Sequence, residues 1–328
     1  VAVKSSIDST RAKAFIDIAR AMSGWLPVPL LYYGAHTGRA AGMMGINMQN
    51  LPKKSGIRKA LVAPKGYSFI VADLSQIEAR ITAVLAGQWD LVEEFSGDPY
   101  SAFATEIYKI PVSRDNPDTV QERFVGKTCI LGLGYGMSAA KLHLTLTSAG
   151  VDISLEECGV IVRLYRRKYS KIPALWRSFD QLLFSMTNLG AGQQEFGPLK
   201  VMPLGFELPN GMRINYPGLH RDAEGFSFTS WDNPNSSSRK RIWGGGATEN
   251  VVQALARIII SRAELRLARA GLQSVLQVHD ELVYVVPDAA VERAKTAVRM
   301  ALVDPVPWMP RLPIACEVGS GKSYGQAK

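Results

Sequence analysis

The twelve residues Phe69-Ile-Val-Ala-Asp73-Leu-Ser-Gln-Ile-Glu78-Ala-Arg80 leave this chain few ways to fold. Phe69 to Ala72 is an apolar run long enough for a buried strand and too short for a helix. The run ends on Asp73, and from Ser75 the pattern turns helical. Ile77, Ile81, Val84 and Leu85 fall on one face, with Glu78 and Arg80 beside it. A carboxylate at the end of a buried strand, followed at once by a helix, is held rigidly enough to ligate a metal ion. A second carboxylate comes from Leu276-Gln277-Val278-His279-Asp280-Glu281-Leu282-Val283-Tyr284-Val285-Val286. This stretch reads as two strands meeting in a tight turn, with His279-Asp280-Glu281 at the bend. Mg²⁺ takes one or two protein carboxylates, keeps waters and completes its shell with substrate phosphates. Asp73 and Asp280 on adjacent strands therefore suit a pair of such ions acting on a phosphate ester, with Glu281 as an accessory carboxylate. A purely structural account, with Asp73 as a helix cap and Asp280 as a turn residue, competes with this one.

A third stretch bears on that choice. In Arg123-Phe-Val-Gly-Lys127-Thr-Cys-Ile-Leu131-Gly-Leu-Gly-Tyr135-Gly136, the residues Arg123, Lys127, Leu131 and Tyr135 recur every four positions and form one stripe on a helix. Two cations, an apolar residue and an aromatic along a stripe suit a triphosphate, a sugar and a base, in that order. Gly126, Gly132 and Gly134 each cost a helix ~1 kcal/mol relative to Ala. They imply close approach by a ligand, a hinge, or close helix packing.

Taken together and in this order, the three stretches resemble motifs A, B and C of family A DNA polymerases, the group of bacterial DNA polymerase I and many phage replicases. The resemblance runs from about Tyr33 to the C-terminus, where Glu317-Val-Gly-Ser-Gly321 is similar to the family's final strand. It implies an α+β right-hand polymerase fold, with an antiparallel palm sheet and a mainly helical fingers insertion. The expected divisions are a thumb remnant and connector (1–33), a first palm segment (34–95), fingers (96–245, with the motif B helix at about 121–136) and a second palm segment (246–328). It further implies two Mg²⁺ ions, with Mn²⁺ as a substitute, held by Asp73, Asp280 and the Leu74 backbone carbonyl. Gln76, Glu78, Arg123, Lys127, Leu131 and Tyr135 would contact the incoming nucleotide, with Lys127 also a proton donor to pyrophosphate. Arg39, Asn47, Gln49, Asn50, Arg58, Gln277 and His279 would contact primer–template DNA. The partners are then DNA and deoxynucleoside triphosphates, and the expected setting is the cytoplasm of a bacterium or a phage-infected host cell.

This sequence departs from the family pattern at several points. The Arg39-to-Asn47 spacing is one residue longer than in the bacterial enzyme. Tyr100 stands where bacterial relatives carry a triphosphate-binding His, Gly246 where they carry a minor-groove Gln, and Leu131 where they carry Phe or Tyr. The region between motifs B and C, from Asn188 to about Arg241, is also longer. It is rich in Gly, Pro, Asn and Ser with short strand-like pieces, and Asn233–Arg241 reads as a basic loop.

Composition is compatible with this reading. A net charge of +9 and a pI near 9.4 favour a polyanionic partner. The three cysteines are few and far apart, so neither a disulfide framework nor a zinc site is indicated. No signal peptide or membrane-length apolar run is present. A chain starting with Val1 suggests a segment of something longer, with a thumb and exonuclease-type portion upstream.

Along the rest of the chain, helices are expected over Ser5 to Met22, Tyr100 to Tyr108, Ser138 to Ser148, Ser154 to Met186 and Thr248 to Ala270. Lys53, Lys54, Arg58 and Lys59 read as phosphate contacts or a solvated face. Gly319-Ser-Gly321-Lys322-Ser323 imitates the end of a P-loop, but Cys316 replaces its first Gly and no helix can follow. Two rival functions remain. A metal-dependent phosphohydrolase would use His279-Asp280 as a ligand pair, with His36, His143 and His220 as the other imidazoles. A non-catalytic DNA-binding subunit would explain the charge but not Asp73, Asp280 and Glu281.

Overall fold

The computed structural model describes residues 2–44, 46–51, 56–187, 194–230 and 238–327. Lys53, Lys54 and most of the basic loop expected over Asn233–Arg241 lie outside them. The chain divides into two compact units. One comprises Val1–Ser75, Arg257–Asp304 and Ala315–Lys328; the other comprises Gln76–Ala256 and Pro305–Ile314.

The first unit is built on a four-stranded antiparallel sheet. Its order is Leu276–Val278, Glu281–Pro287, Tyr67–Leu74 and Cys316–Gly321. The strand read from Phe69–Ala72 is interior to this sheet, which is why its apolar run is continuous rather than alternating. Phe69 and Val71 turn to one face, where Val71, Leu276, Val278 and Val283 pack with Phe15, Ile46, Met48, Leu51 and Tyr324. Ile70, Ala72, Leu282 and Tyr284, on the opposite parity, are fully buried. Helix Val291–Leu302 packs against strands Tyr67–Leu74 and Cys316–Gly321.

The second unit is mainly helical. Its core joins helices Ile77–Ala86, Pro99–Tyr108, Val120–Leu133, Ala139–Ser148, Leu155–Lys168 and Lys171–Thr187 around Phe103, Tyr165 and Tyr169, whose rings lie 5.1–5.8 Å apart. Pro99–Tyr108 lies so close to Val120–Leu133 that a Cβ on Gly126 would overlap the Tyr100 carbonyl oxygen, so at this glycine helix packing is the operative reason. Two small antiparallel sheets follow, Gln194–Asn215 as a four-stranded meander and His220–Ile242 as three strands.

Four local expectations are corrected. Ser154 to Met186 is two helices, broken at Tyr169–Ser170, because Pro173 is tolerated only in the first turn of a new helix. The motif B helix stops at Leu133, so Tyr135 lies just beyond its end, in a turn where Trp176 Nε1 donates to the Gly134 carbonyl at 2.8 Å. The strand carrying Asp73 continues to Leu74, so Asp73 is its penultimate residue rather than a helix cap. The long helix expected from Thr248 begins earlier, at Gly244, whose N–H donates to Asp180 Oδ1 at 2.6 Å. The residues imitating a P-loop end form strand Cys316–Gly321 and a turn, as expected. Among the described residues no helix is long and apolar enough to cross a membrane.

Candidate active site

In the sheet unit the two expected metal-binding stretches lie on neighbouring strands. Glu281 is the direct cross-strand partner of Asp73 on one side, and Glu317 is its partner on the other. Directly paired residues of an antiparallel sheet point to the same face. Asp73, Glu281 and Glu317 therefore form one row of carboxyl-bearing positions across three strands. Asp280 precedes the row in the turn, and its carbonyl oxygen accepts from Leu74 N–H at 3.0 Å, tying the hairpin bend to the end of the central strand.

Three adjacent acids repel unless their charges are answered, and here they are answered unequally. Glu281 is only 3% exposed. It accepts a hydrogen bond from Tyr324 Oη and lies 3.7 Å from Arg58 Nη1. Arg58 in turn stacks over the Tyr324 ring and donates from Nε to the Leu51 carbonyl at 3.1 Å. Burial, and after it the Glu281 carboxylate, push the Tyr324 phenol far up, so it remains a donor. Arg58, expected at DNA, is thus buried with its guanidinium turned inward. Asp73 and Asp280 are only half-buried.

The hairpin turn has its own brace. His279 adopts φ 53°, a conformation costly for a non-glycine residue. The buried Gln49 side chain spans the bend: its Nε2 donates to the Gln277 carbonyl at 2.5 Å, and its Oε1 accepts from His279 N–H at 3.3 Å. Gln49 is itself fixed by Asn47, which caps the short helix Met48–Asn50 by accepting the Gln49 N–H at 3.0 Å. Expected as DNA contacts, Asn47 and Gln49 therefore position the turn bearing Asp280. Asn50 is exposed, its carbonyl accepting from Arg11 at 3.1 Å, and Arg39 is half-buried. Gln277 Nε2 is buried without a hydrogen-bond partner among the described residues.

In the helical unit Glu78 and Tyr135, both expected at the incoming nucleotide, come together: Tyr135 Oη donates to Glu78 Oε2 at 3.3 Å. Burial, and then the neighbouring carboxylate, push the Tyr135 phenol well above its usual value, so it keeps its proton. Gln76 enters the helix at φ 48°. Its Oε1 accepts from Arg80 Nη2 at 3.1 Å, and the Arg80 guanidinium also reaches the Phe95 and Pro313 carbonyls and stacks on the Phe95 ring. The sequence showed Arg80 only as a neighbour of the apolar face. It is 5% exposed and locks the turn that starts the Glu78 helix.

The cationic stripe is less uniform than its spacing implied. Lys127 and Leu131 are exposed on Val120–Leu133. Arg123 instead donates to Asp98 Oδ2 at 2.6 Å and lies over the Tyr100 ring. Burial alone would raise the Asp98 pKa, but hydrogen bonds from Arg123 and Ser101 and the Arg123 charge outweigh it and hold the carboxyl below its usual range. Asp98 also caps Pro99–Tyr108.

The profile of DNA polymerase family A matches residues 5–186. The chain belongs to DNA polymerase family A. A DNA polymerase of Bacillus phage SP02 is 28% identical over 88% of this chain and 51% of its own length. The thermostable DNA polymerase I of Thermus thermophilus is 28% identical over 86% of this chain and 30% of its own. A solved POL domain of Pol1 from M. smegmatis, in complex with DNA primer-template and dNTP, superposes with a TM-score of 0.68 at 25% identity, covering 98% of this chain and 52% of that one. The chain thus spans about half the length of the phage polymerase and under a third of the bacterial one. Mixed helices and antiparallel sheet, with this likeness, give the family A member the right-hand polymerase fold.

Proposed function

We propose that this family A chain carries the nucleotide-adding core of a template-directed DNA polymerase. The observation that supports it best is the joining of Asp73 and the Asp280 turn at one end of the sheet by paired strands. The palm label goes to the sheet-bearing unit and the fingers label to the helical one.

The residues suit divalent cations of the Mg²⁺ type. Among the described residues no group of three or more His, Cys, Asp or Glu is placed to hold a metal ion by itself. Two half-buried aspartates, with Glu281 already committed to Tyr324 and Arg58, suit ions that draw the rest of their shell from water and phosphates. Asp73, Asp280 and the Leu74 carbonyl would hold two Mg²⁺. When bound, the ions lower the pKa of the primer 3′-hydroxyl and offset charge on the leaving oxygens.

The primer 3′-hydroxyl releases its proton to water and its oxygen bonds to the α-phosphorus as the bond to the pyrophosphate oxygen breaks. Lys127, exposed on its helix, neutralises the triphosphate and donates a proton to the departing pyrophosphate. Arg123 adds charge from its Asp98-anchored position. The Gln277 amide turns out to an acceptor on the minor-groove edge, which every base pair provides. The phosphohydrolase alternative loses ground because the residues after His279-Asp280 form a strand and not a helix.

Primer extension tests the proposal. Asp73→Asn or Asp280→Asn leaves DNA binding near wild type and lowers nucleotide addition by several orders of magnitude. Near wild-type extension by either variant in Mg²⁺ would remove the two-aspartate site.

A further inference from the structure

A half-open cavity of about 600 Å³ lies in the helical unit, at the edge of the longer region between motifs B and C. Its walls come from helix Lys171–Thr187 and the three-stranded sheet His220–Ile242, and they end on Trp243. We propose that this cavity binds an unpaired nucleotide of the template strand, a reading that rests on the polymerase assignment above.

The lining has the chemistry that single-stranded nucleic acid needs. Two large rings stand open, Phe184 at 57% exposure and Trp243 at 45%. Arg221 lies between Phe184 and Phe226, its guanidinium 5.8 and 5.6 Å from the two ring centroids. Aromatic faces take any base, and a guanidinium held among them adds both stacking and charge.

The charges around the cavity single out Arg221. Arg241 is paired with Asp222 at 2.6 Å and with Glu224. Asp180 accepts the Gly244 N–H that opens the long helix. Arg221 has no carboxylate partner among the described residues, so its charge is available to a phosphate.

Trp243 also links the cavity wall to the motif B end. Trp243 is wedged so tightly that a Cβ on Gly136 or Gly245 would overlap its indole, and it meets Trp176 edge-on at 5.8 Å. Trp176 in turn holds the Gly134 carbonyl. One face of this indole therefore abuts the residue after Tyr135, while the rest of it lines the cavity. An unpaired template nucleotide next to the templating base would find this surface first.

The test compares binding of blunt and recessed duplexes by fluorescence anisotropy, using primers labelled at the 5′ end and templates with 0-, 2- and 6-nucleotide 5′ overhangs. In the wild-type chain an overhang tightens binding at least ~10-fold, given typical base–aromatic stacking. Phe184→Ala, Phe184→Leu and Arg221→Ala each reduce that advantage to about twofold or less while leaving blunt-duplex affinity unchanged. Phe184→Leu keeps apolar volume without a ring face, which separates stacking from loss of fold. An intact overhang advantage in all three variants overturns the inference, as does equal weakening of blunt and recessed duplexes. Primer extension on the same samples keeps the two proposals apart. A wild-type chain that fails to extend primers, yet shows a Phe184-dependent overhang advantage, loses the polymerase reading but keeps this site. Normal extension with an overhang advantage indifferent to Phe184 does the reverse.

Discussion

Gln49→Ala separates a residue that touches DNA from one that shapes the active-site turn. The Gln49 amide serves two backbone groups flanking the His279–Asp280 bend. Removing it strands the Gln277 carbonyl in a buried strand, which costs about 1–3 kcal/mol. The His279 N–H belongs to an exposed residue and can turn to water, so its loss adds only ~0.5 kcal/mol. The turn must also keep His279 at φ 53° without a brace. The sum is about 1.5–3.5 kcal/mol of local stability, or a roughly 10- to 300-fold larger open population at 1.4 kcal/mol per decade. The reporter is amide hydrogen exchange at Leu74, whose N–H donates to the Asp280 carbonyl across the bend. Adding His279→Gly to the Gln49→Ala chain relieves ~1–2 kcal/mol of backbone strain and recovers roughly tenfold of the protection. Unchanged Leu74 exchange together with a fall in DNA affinity would refute the bracing role and return Gln49 to the DNA.

Three further outcomes follow from the same structure. Glu78→Ala, which empties the position braced by Tyr135, raises incorporation of ribonucleotides relative to deoxyribonucleotides in single-nucleotide assays; an unchanged ratio removes Glu78 as the steric filter. Asp98→Asn destabilises the helical unit at pH 7. The lowered pKa of Asp98 contributes stability that is complete above the ordinary aspartate value of about 3.9 and lost as pH falls through the folded value, so the gap between variant and wild type closes in acid. Gly126→Ala forces a methyl against the Tyr100 carbonyl and costs about 1–3 kcal/mol or more in thermal unfolding, whereas Gly134→Ala, with nothing nearer than 3.5 Å, is tolerated.

Much of the sheet was legible because strand signals are local. The apolar run before Asp73, the alternation after Asp280 and the final Glu317–Gly321 strand all follow from short windows of sequence. The pairing register was not legible. Nothing in the sequence says that Glu281 and Glu317 flank Asp73 directly, since that depends on how three distant segments align. The partners of Arg58 and Arg123 were not legible for a related reason. A cation in a polar stretch reads as available, whereas the fold brings each to a carboxylate that is not its sequence neighbour. The break at Tyr169 had a visible cause in Pro173, which an unbroken apolar periodicity obscured.

The row formed by Asp73, Glu281 and Glu317 makes this region intolerant of odd-numbered length changes. Side chains alternate along a strand, so inserting or deleting one residue before any member of the row sends its carboxylate to the opposite face. That face holds Ile70, Ala72, Leu282 and Tyr284, all fully buried, where an unpaired charge is costly. A two-residue change restores the face but moves the acid away from its partners. The strands are in effect frame-locked.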